Sequence, residues 1–393
     1  MSQVRRSSRF DVRGKPHEQP PRPRLVYVVS DDRYFLSHCL TMARAARAAG
    51  FEVHVATRVT EDGDRLRGEE FVVHRMAFRR GRTGLVRALR TVLALRRLYR
   101  AVNPAIVHYV TVPLSLPGIV AATGFAFAAV HGVGDLARRF AAPGINFRLL
   151  RRVGRAVLRR GVNAPRAVAL VQSPDDRDVL TSLGIKPARV ILISGCGVDC
   201  DRFRPVPEPD GPVTVAFTGR MTAGKGLRTL VEAHRILEDS GVQSEILLAG
   251  QPDPDDPDAV PQIEVAGWGR EPGITWLGHV ADMSRVWRRA HVAALPARSC
   301  EGVPQSLLEA AAFGRPLIAT DVPGCRDLVV HEKTGLLVPV DDAAALAAAI
   351  LRLMRAPPQR VRFGVAARRL VDGRYSDSVV GPAAVALYRG LLT

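Results

Sequence analysis

The chain has 393 residues, of which 47 % are hydrophobic and 24 % are charged, and this composition excludes a fully disordered or fibrous chain. At ~150 residues per domain, the length predicts two or three domains. The 56 Lys and Arg outnumber the 38 Asp and Glu, which gives a net charge of +18. The whole excess lies in residues 1–200, which carry +19, whereas residues 201–393 carry −1. A basic half indicates an anionic partner for one part of the molecule.

Five scattered cysteines indicate a reducing compartment rather than a disulfide framework. Residues 1–24 are rich in Arg, Pro and Ser and contain no continuous apolar stretch, so they predict a disordered basic tail rather than a signal peptide. Residues 101–134 lack Asp, Glu, Lys and Arg, but prolines and glycines interrupt them. Two buried strands flanking a short helix are therefore favoured over a membrane span.

The first half alternates strand and helix patterns from residue 25 to residue 195. Apolar runs predict strands at 25–30, 52–56, 71–74, 107–110, 125–130, 167–171 and 190–193. Helical spacing predicts helices at 36–49, 85–101 and 145–160, of which the last two are basic and amphipathic.

Prolines and glycines in residues 196–212 predict an interdomain linker, and the alternation then resumes. Strands are predicted at 213–218, 245–249, 274–277, 292–295, 317–319 and 336–338, and helices at 227–237, 306–313 and 343–354. Repeated βα units predict an α/β fold with two doubly wound parallel-sheet domains that face a central cleft. The predicted domains are 25–195 and 213–372.

The segment EGVPQSLLE at residues 301–309 follows a predicted strand and begins a helix near Ser306. Ligands of open α/β sheets bind at the carboxyl ends of strands, and a helix N-terminus there attracts an anion. Glu301 and Glu309 flank this turn and can accept from sugar or ribose hydroxyls. The alternative is a capped surface helix with an ordinary acid in its first turn.

The segment FTGRMTAGKG at residues 217–226 joins a predicted strand to a helix. Its glycines allow close approach of a ligand, and Arg220 and Lys225 can clamp phosphate oxygens. Its spacing is neither that of a Walker A loop nor that of the dinucleotide-binding glycine motif. The alternative is a strand–helix turn with solvated charges.

His131 and Gly132 end an apolar strand, and Asp31 and Asp32 end the first strand. All four are acceptor-side candidates because strand ends of this kind meet at the cleft. The alternatives are a structural histidine and aspartates that cap the following helix.

The turn at 219–226, the 301–309 element and the run FGRPLIATDVPGCRDLV at 313–329 resemble family 4 glycosyltransferases, which have the GT-B fold. The resemblance extends from Leu25 to Leu392. The first half is similar to the subgroup that adds sugars to polyprenyl-diphosphate-linked intermediates of surface glycans. Ser173 and Cys196 stand where that subgroup often has Asn and Ser, which leaves the acceptor and the sugar open.

The resemblance implies a retaining enzyme with a nucleotide-sugar donor, UDP-linked, and no metal or other cofactor. Its catalytic candidates are Arg220 and Lys225 as a diphosphate clamp, Glu301 near the donor sugar and His131 near the reacting centre. Glu309 is expected to bind the ribose. The expected donor contacts are Gly219, Arg220, Lys225, Gly250, Glu301, Gly302, Pro304, Gln305, Ser306, Leu307 and Glu309. The C-terminal segment 373–393 is expected to cross back onto the first domain.

The resemblance also implies a lipid-linked or oligosaccharide acceptor and a cytoplasmic enzyme at the inner face of the membrane. The basic helices are then expected to dock on an anionic leaflet, although a solvated Arg-rich surface is the alternative. Two other functions stay open: an epimerase or phosphorylase of the same fold, and a basic binding protein without catalysis. Nucleic acid is not the expected partner, because aromatic residues make up only 6 % of the chain.

Overall fold

The computed structural model describes residues 22–60, 63–78, 85–133, 148–253, 256, 258–300 and 302–393. Residues 1–21 of the predicted basic tail and the candidate Glu301 lie outside the described residues. Two parallel sheets, each covered by helices on both faces, make up the fold.

The first sheet has seven parallel strands in the order β3-β2-β1-β4-β5-β6-β7. Their interiors are apolar and buried because helices cover both faces of the sheet. The strands are β1 (Arg24–Asp31), β2 (Glu52–Arg58), β3 (Val72–Arg75), β4 (Ile106–Tyr109), β5 (Ala128–Gly132), β6 (Ala167–Val171) and β7 (Val190–Leu192). The helices are α1 (Asp32–His38), α2 (Leu40–Ala48), α3 (Gly63–Arg67), α4 (Leu85–Val102), α5 (Val112–Ala122), α6 (Arg148–Val162) and α7 (Pro174–Ser182).

The second sheet has six parallel strands in the order β10-β9-β8-β11-β12-β13. These strands are β8 (Thr214–Thr218), β9 (Glu245–Ala249), β10 (Ile274–Gly278), β11 (Val292–Leu295), β12 (Leu317–Thr320) and β13 (Gly335–Val338). The helices are α8 (Leu227–Asp239), α9 (Gln262–Trp268), α10 (Ser284–Arg289), α11 (Gln305–Ala312), α12 (Cys325–Leu328), α13 (Ala343–Arg355), α14 (Pro357–Arg374) and α15 (Asp377–Gly390).

The strand order reverses once in each sheet, between β1 and β4 in the first and between β8 and β11 in the second. Helices leave such a pair toward opposite faces, which opens a crevice at the carboxyl ends of the two strands. The predicted doubly wound fold is therefore confirmed, and each sheet has one topological switch point. Both candidate loops of the second half, 219–226 and 296–304, follow strands at its switch point.

Two predicted elements differ from the structure. The single helix predicted at 36–49 is wrong: α1 and α2 are separate helices, and the chain bends at Cys39, whose φ is −124°. The strand predicted at 125–130 is also displaced, because pairing with β4 begins only at Ala128. Phe125 and Phe127 instead pack their rings around Tyr99.

The C-terminal helix α15 crosses from the second sheet and packs on α2 beside the first sheet, as the fold prediction required. Its Tyr388 is fully buried, and its hydroxyl lies 2.8 Å from the hydroxyl of Tyr27 and 2.9 Å from Nδ1 of His108. Strands β1 and β4 carry these two partners, so α15 contacts the sheet at its switch point.

The chain passes between the two sheets twice, and the two passages are hydrogen-bonded to each other. The Val198 amide donates to the carbonyl of Tyr375 over 3.0 Å, and the Asp377 amide donates to the carbonyl of Val198 over 3.0 Å. This paired strip joins the two halves behind the cleft. Within the described part of the chain, no helix has the length and apolar character of a membrane span.

Candidate active site

A cavity of about 2500 Å³ lies between the two sheets and is lined by residues of both halves. The loops after β1, β2 and β4 line it on one side, and the loops after β8, β9 and β11 line it on the other. The predicted cleft is therefore present at the two switch points. Its volume exceeds the roughly 300–1,000 Å³ of a typical small-molecule pocket, so it has room for two ligands of that size.

The glycine-rich turn after β8 is held against the end of β11. Gly226 has φ +75°, and a Cβ there would lie 1.8 Å from the carbonyl oxygen of Pro296. The Arg298 amide donates to the Gly224 carbonyl over 2.9 Å. Because only glycine permits this contact, the turn that carries Arg220 and Lys225 is fixed to the segment that leads into α11.

Two more glycines bring the backbone of this wall together. A Cβ on Gly250, which has φ +140°, would lie 1.9 Å from the Gly219 carbonyl oxygen. The indole N–H of Trp276 donates to the Gly250 carbonyl over 2.8 Å. The ends of β8, β9 and β10 therefore lie close together, and Trp276 lines the cavity beside them.

Helix α11 begins after Pro304 and directs its first turn into the cleft. Gly302, at φ +70°, precedes it, and the Gln172 side chain of the first half packs directly on this glycine. The Gln305 amide group donates to the Gly197 carbonyl over 3.3 Å. Contacts with Gln172 and Gly197 of the first half therefore position the N-terminus of α11.

The Glu309 carboxyl lies on the cleft side of α11, one turn below its start. Burial raises its pKa to about 7, while the N–H of Trp287 and the charge of Arg202 oppose this rise. A carboxyl with such a pKa is partly protonated at neutral pH. Hydroxyl donors from a bound ligand would favour its ionised form.

The two predicted phosphate clamps have different surroundings. Arg220 forms an ion pair with Asp256 over 2.7 Å, and nearly half of its side chain is exposed. The pKa of the Cys325 thiol is raised well above its usual value by the hydrogen bond with Cys300 and by burial. The nearby ammonium of Lys225 opposes this rise but does not cancel it. Cys300 lines the cleft, and its Sγ lies 3.2 Å from Sγ of Cys325.

The structure brings most predicted donor contacts to one wall, where they line the cavity. These are Gly219, Arg220, Lys225, Gly250, Gly302, Pro304, Gln305, Ser306 and Glu309. Leu307 differs, because its side chain is only 1 % exposed and its amide donates to the Pro304 carbonyl over 3.1 Å. Its side chain belongs to the core of the second half rather than to the cleft.

The acceptor-side candidates have mainly structural partners. Asp31 lines the cleft, and it caps α1 by accepting from the Tyr34 amide over 2.9 Å. Asp32 is buried and accepts from the amide and the hydroxyl of Thr60, each over 2.6 Å. A Cβ at Gly132 would lie 2.5 Å from the carbonyl oxygen of Val110, just after β4, so the packing requires glycine there.

His131 is 1 % exposed, stacks on Tyr109 and stands outside the cavity lining. Burial lowers its pKa to about 4, so the imidazole is neutral at physiological pH. Its Nδ1 reaches no hydrogen-bond partner among the described residues. Of these candidates, Asp31 therefore lines the cleft, whereas His131 is buried outside the cavity lining.

Sequence reasoning missed several residues that line the first-half wall. Five of them are arginines: Arg33, Arg44, Arg58, Arg65 and Arg87. Arg33 and Arg58 stand just after β1 and at the end of β2, so the strand-end rule that selected Asp31 could also have selected them. In the described ranges, no three His, Cys, Asp or Glu side chains cluster to hold a metal ion.

Two family models match the chain in succession. The model described as Glycosyltransferase Family 4 matches residues 37–202, and the model described as Glycosyl transferases group 1 matches residues 212–356. The first match covers β2 to β7 of the first sheet, and the second covers all six strands of the second sheet. The chain belongs to the glycosyltransferases of the GT-B fold, which confirms the predicted family and architecture.

Individual proteins are similar to the chain over shorter stretches. The amylovoran biosynthesis glycosyltransferase AmsK of Erwinia amylovora is 29 % identical over 203 residues, 49 % of each chain. The putative colanic acid biosynthesis glycosyltransferase WcaL of Escherichia coli K12 is 35 % identical over 170 residues, 41 % of each chain. These matches span about half the length of the curated relatives or less.

A solved structure extends the likeness of the fold to almost the whole chain. Alr3699/HepE of Anabaena in complex with UDP superposes with a TM-score of 0.75 and 15 % identity. The superposition covers 94 % of this chain and 100 % of that one. At this identity, the likeness concerns the fold.

Proposed function

We propose that the protein is a retaining glycosyltransferase that moves a sugar from a UDP-linked donor to a lipid-linked or glycan acceptor. One observation carries this proposal: the turn with Arg220 and Lys225 and the start of α11 meet on one wall of the interdomain cleft. Two cations and a helix N-terminus suit a diphosphate, the group that joins a nucleoside to a sugar. Support for UDP comes from a fold neighbour whose structure contains UDP.

The reaction places its greatest electrostatic demand on the leaving group. As the bond between sugar and diphosphate breaks, charge grows on the phosphate oxygen, and Arg220, Lys225 and the N-terminal amides of α11 would stabilise it. Arg220 would exchange its ion pair with Asp256 for the diphosphate. We propose that these groups meet the charge without a divalent metal.

We propose front-face transfer, in which the leaving phosphate takes the proton of the acceptor hydroxyl and the configuration is retained. Glu309 would accept from the ribose hydroxyls, and Glu301 would face the donor sugar. The imidazole of His131 is neutral because burial lowers its pKa to about 4. It stands outside the cavity lining, so it would hydrogen-bond near the reacting centre only once the cleft has rearranged around the substrates. None of these carboxyls is assigned a covalent role.

The acceptor and the cellular setting follow from the basic half and from the named relatives. Relatives named for amylovoran and colanic acid biosynthesis support a role in making surface polysaccharide. Exposed arginines on α4 and α6 would hold the protein on an anionic cytoplasmic leaflet. We therefore propose a peripheral enzyme at the inner face of the membrane.

Replacing Lys225 tests the mechanism directly. Lys225→Ala should lower kcat by about 10²–10³ because one preorganised donor to the leaving group is lost. The measurement is UDP release from a panel of UDP-sugars with a polyprenyl-diphosphate-linked sugar as acceptor. Lys333→Ala, which removes an exposed lysine of the second half, is the matched control and should retain full turnover.

Arg220→Ala should weaken UDP binding in titration calorimetry, whereas Arg270→Ala removes an exposed arginine outside the cavity lining and should not. Two results would contradict the proposal. One is near-normal turnover in Lys225→Ala, and the other is failure of the wild-type protein to bind any nucleoside diphosphate.

A further inference from the structure

Two thiols stand side by side at the edge of the donor wall. The sulfur of Cys300 lies 3.2 Å from that of Cys325. Cys300 belongs to the loop after β11, and Cys325 begins α12 after the neighbouring strand β12. Cys300 lines the cleft, whereas Cys325 is fully buried. Two cysteine side chains in such contact can form a disulfide with little movement of the backbone.

The backbones that carry the two thiols also touch. Gly324 has φ +84°, and a Cβ there would lie 2.1 Å from the Gly302 carbonyl oxygen and 3.2 Å from Cβ of Cys300. Only glycine permits this approach of one loop to the other. The packing of the two loops therefore places the sulfurs beside each other.

Cys300 occupies the middle of the segment that joins both parts of the proposed diphosphate site. On one side, backbone contacts of Pro296 and Arg298 fix the segment to the turn that carries Lys225. On the other side, Gly302 leads into α11. A displacement of Cys300 therefore acts on the Lys225 turn, on the start of α11, or on both.

These contacts indicate a site of reversible oxidation within the donor wall. We propose that a hydroperoxide oxidises Cys300 and Cys325 to a disulfide, and that this bond weakens binding of the nucleotide-sugar donor. The inference rests on the proposed function, because it concerns regulation of the same donor site. In a reducing compartment such a bond is transient, as in other redox-sensing pairs of cysteines.

The oxidation consumes one hydrogen peroxide and releases two waters. The sulfur of Cys300, on the cleft side, attacks one peroxide oxygen and becomes a sulfenic acid, while the O–O bond breaks and the other oxygen leaves as water. The sulfur of Cys325 then attacks that of Cys300, and the hydroxyl leaves as water with the thiol proton of Cys325. Two electrons pass from the thiols to the peroxide, and a dithiol reduces the bond again by exchange.

The disulfide changes the donor wall because bonded sulfurs lie closer together than sulfurs in a thiol hydrogen bond. The pull on Cys300 acts on a segment whose backbone is already in contact with Gly324 and has no space to approach it further. The segment turns instead, and this disturbs the place where the Lys225 turn and the start of α11 meet.

Thiol counting and UDP affinity, measured on the same samples, test the disulfide. The full-length protein is treated with hydrogen peroxide, and iodoacetamide under denaturing conditions then labels the remaining thiols for counting by mass. The wild type should fall from five labelled cysteines to three. Its UDP affinity should fall by about tenfold or more, and dithiothreitol should restore both values.

Each variant is compared with its own reduced form. Cys325→Ser should keep its UDP affinity through the peroxide treatment, because the disulfide cannot form. Cys300→Ala should lose the response in the same way and replaces the first variant if a buried serine impairs folding. Cys200→Ser is the matched control: Cys200 is half-buried like Cys300 but lies outside the cavity lining, so this variant should respond like the wild type.

Three results would overturn the inference. They are a count that stays at five after peroxide, a disulfide that leaves UDP affinity unchanged, and a loss of affinity that persists in Cys325→Ser, which would mean that oxidation of Cys300 alone blocks the cleft. UDP binding by the reduced wild type tests the proposed function separately. Its absence would contradict the donor site, whereas normal binding with no response to peroxide would contradict the disulfide alone.

Discussion

Glu309 connects the electrostatics of the cleft to pH. Its pKa is raised to about 7 because it is buried, so it is mostly neutral at pH 6 and mostly ionised at pH 8. If ribose hydroxyls donate to its carboxylate, binding favours the ionised form and releases a proton. UDP affinity should therefore rise by about tenfold from pH 6 to pH 8 and level off above that range.

Glu309→Gln is the control for this pH dependence, since the phosphate groups of UDP also titrate near this range. The variant should bind UDP more weakly at pH 8, and the part of the pH dependence due to the carboxyl should vanish. Titration calorimetry in buffers of different ionisation enthalpy measures the released proton. Identical pH profiles for the wild type and the variant would remove Glu309 from the binding site.

Single residues could be predicted from sequence where a local pattern fixes them. Arg220, Lys225 and Glu309 were found because each stands in a strand–loop–helix segment at a strand end, and all three line the cleft. His131 follows from the same strand-end pattern, but its side chain is buried and stands outside the cavity lining. Leu307 follows from the family resemblance, as a backbone N–H donor, and its amide donates to the Pro304 carbonyl instead. Burial depends on which strands become neighbours, and a residue pattern does not contain that information.

The glycine-rich turn contains two glycines whose replacement tests whether the contact with β11 fixes the turn. Gly226→Ala should destabilise the fold by more than about 2 kcal/mol, because its φ is +75° and the new Cβ would meet the Pro296 carbonyl at 1.8 Å. UDP binding should fall as well, since the turn would move from its place beside β11. Thermal unfolding and a UDP titration measure the two effects.

Gly224→Ala is the control in the same turn, because a Cβ there meets nothing within 4 Å and its φ is not positive. It should leave stability and UDP affinity nearly unchanged. Equal behaviour of the two variants would mean that the contact between the turn and β11 does not set the geometry of the donor wall.

Helix α15 is fixed to the first sheet by a buried polar group. Tyr388→Phe keeps the ring but removes the hydroxyl that meets Tyr27 and His108, and it leaves both partners buried. The free energy of unfolding should fall by about 1–3 kcal/mol in urea denaturation. Val379→Thr, at an exposed position of the same helix, should cost far less, and a similar loss in both variants would contradict the role of this network.

Elements were predictable where burial is uniform or periodic. Strands β6, β9 and β11 coincide with their predicted ranges, because a strand covered on both faces is a short apolar run. The break at Cys39 was not predictable, since apolar residues keep helical spacing across it. Helix α14 was also missed: it begins with two prolines and buries Arg360, which is neutralised by Glu208 over 2.7 Å, a residue 152 positions earlier.

The open cleft predicts that the two halves move toward each other when substrate binds. A volume of about 2500 Å³ is too large for a nucleotide to touch both walls, although the proposed reaction needs an enclosed site. The paired strip at Val198 and Ser376 is where a hinge rotation would occur. Small-angle scattering should show a smaller radius of gyration at saturating UDP, and superposable curves with and without UDP would contradict closure.

The uneven charge predicts how the protein meets an anionic surface. The first 200 residues carry +19, and α4 exposes Arg90, Arg97 and Arg100. Each arginine near an anionic leaflet contributes about 1 kcal/mol, so replacing all three with Gln should reduce vesicle binding by about 10²-fold or more. Co-sedimentation with vesicles that contain phosphatidylglycerol measures this binding, and it should weaken as salt is raised.

A second triple variant separates position from total charge. Arg270, Arg362 and Arg369 are exposed on the second half, and their replacement by Gln lowers the net charge by the same three units. Because the second half of the sequence carries about −1 in total, that variant should keep most of its vesicle binding. Equal losses in the two triple variants would mean that total charge, and not the face of α4, attracts the membrane. No binding by the wild type at low salt would leave the arginines as a solvated surface.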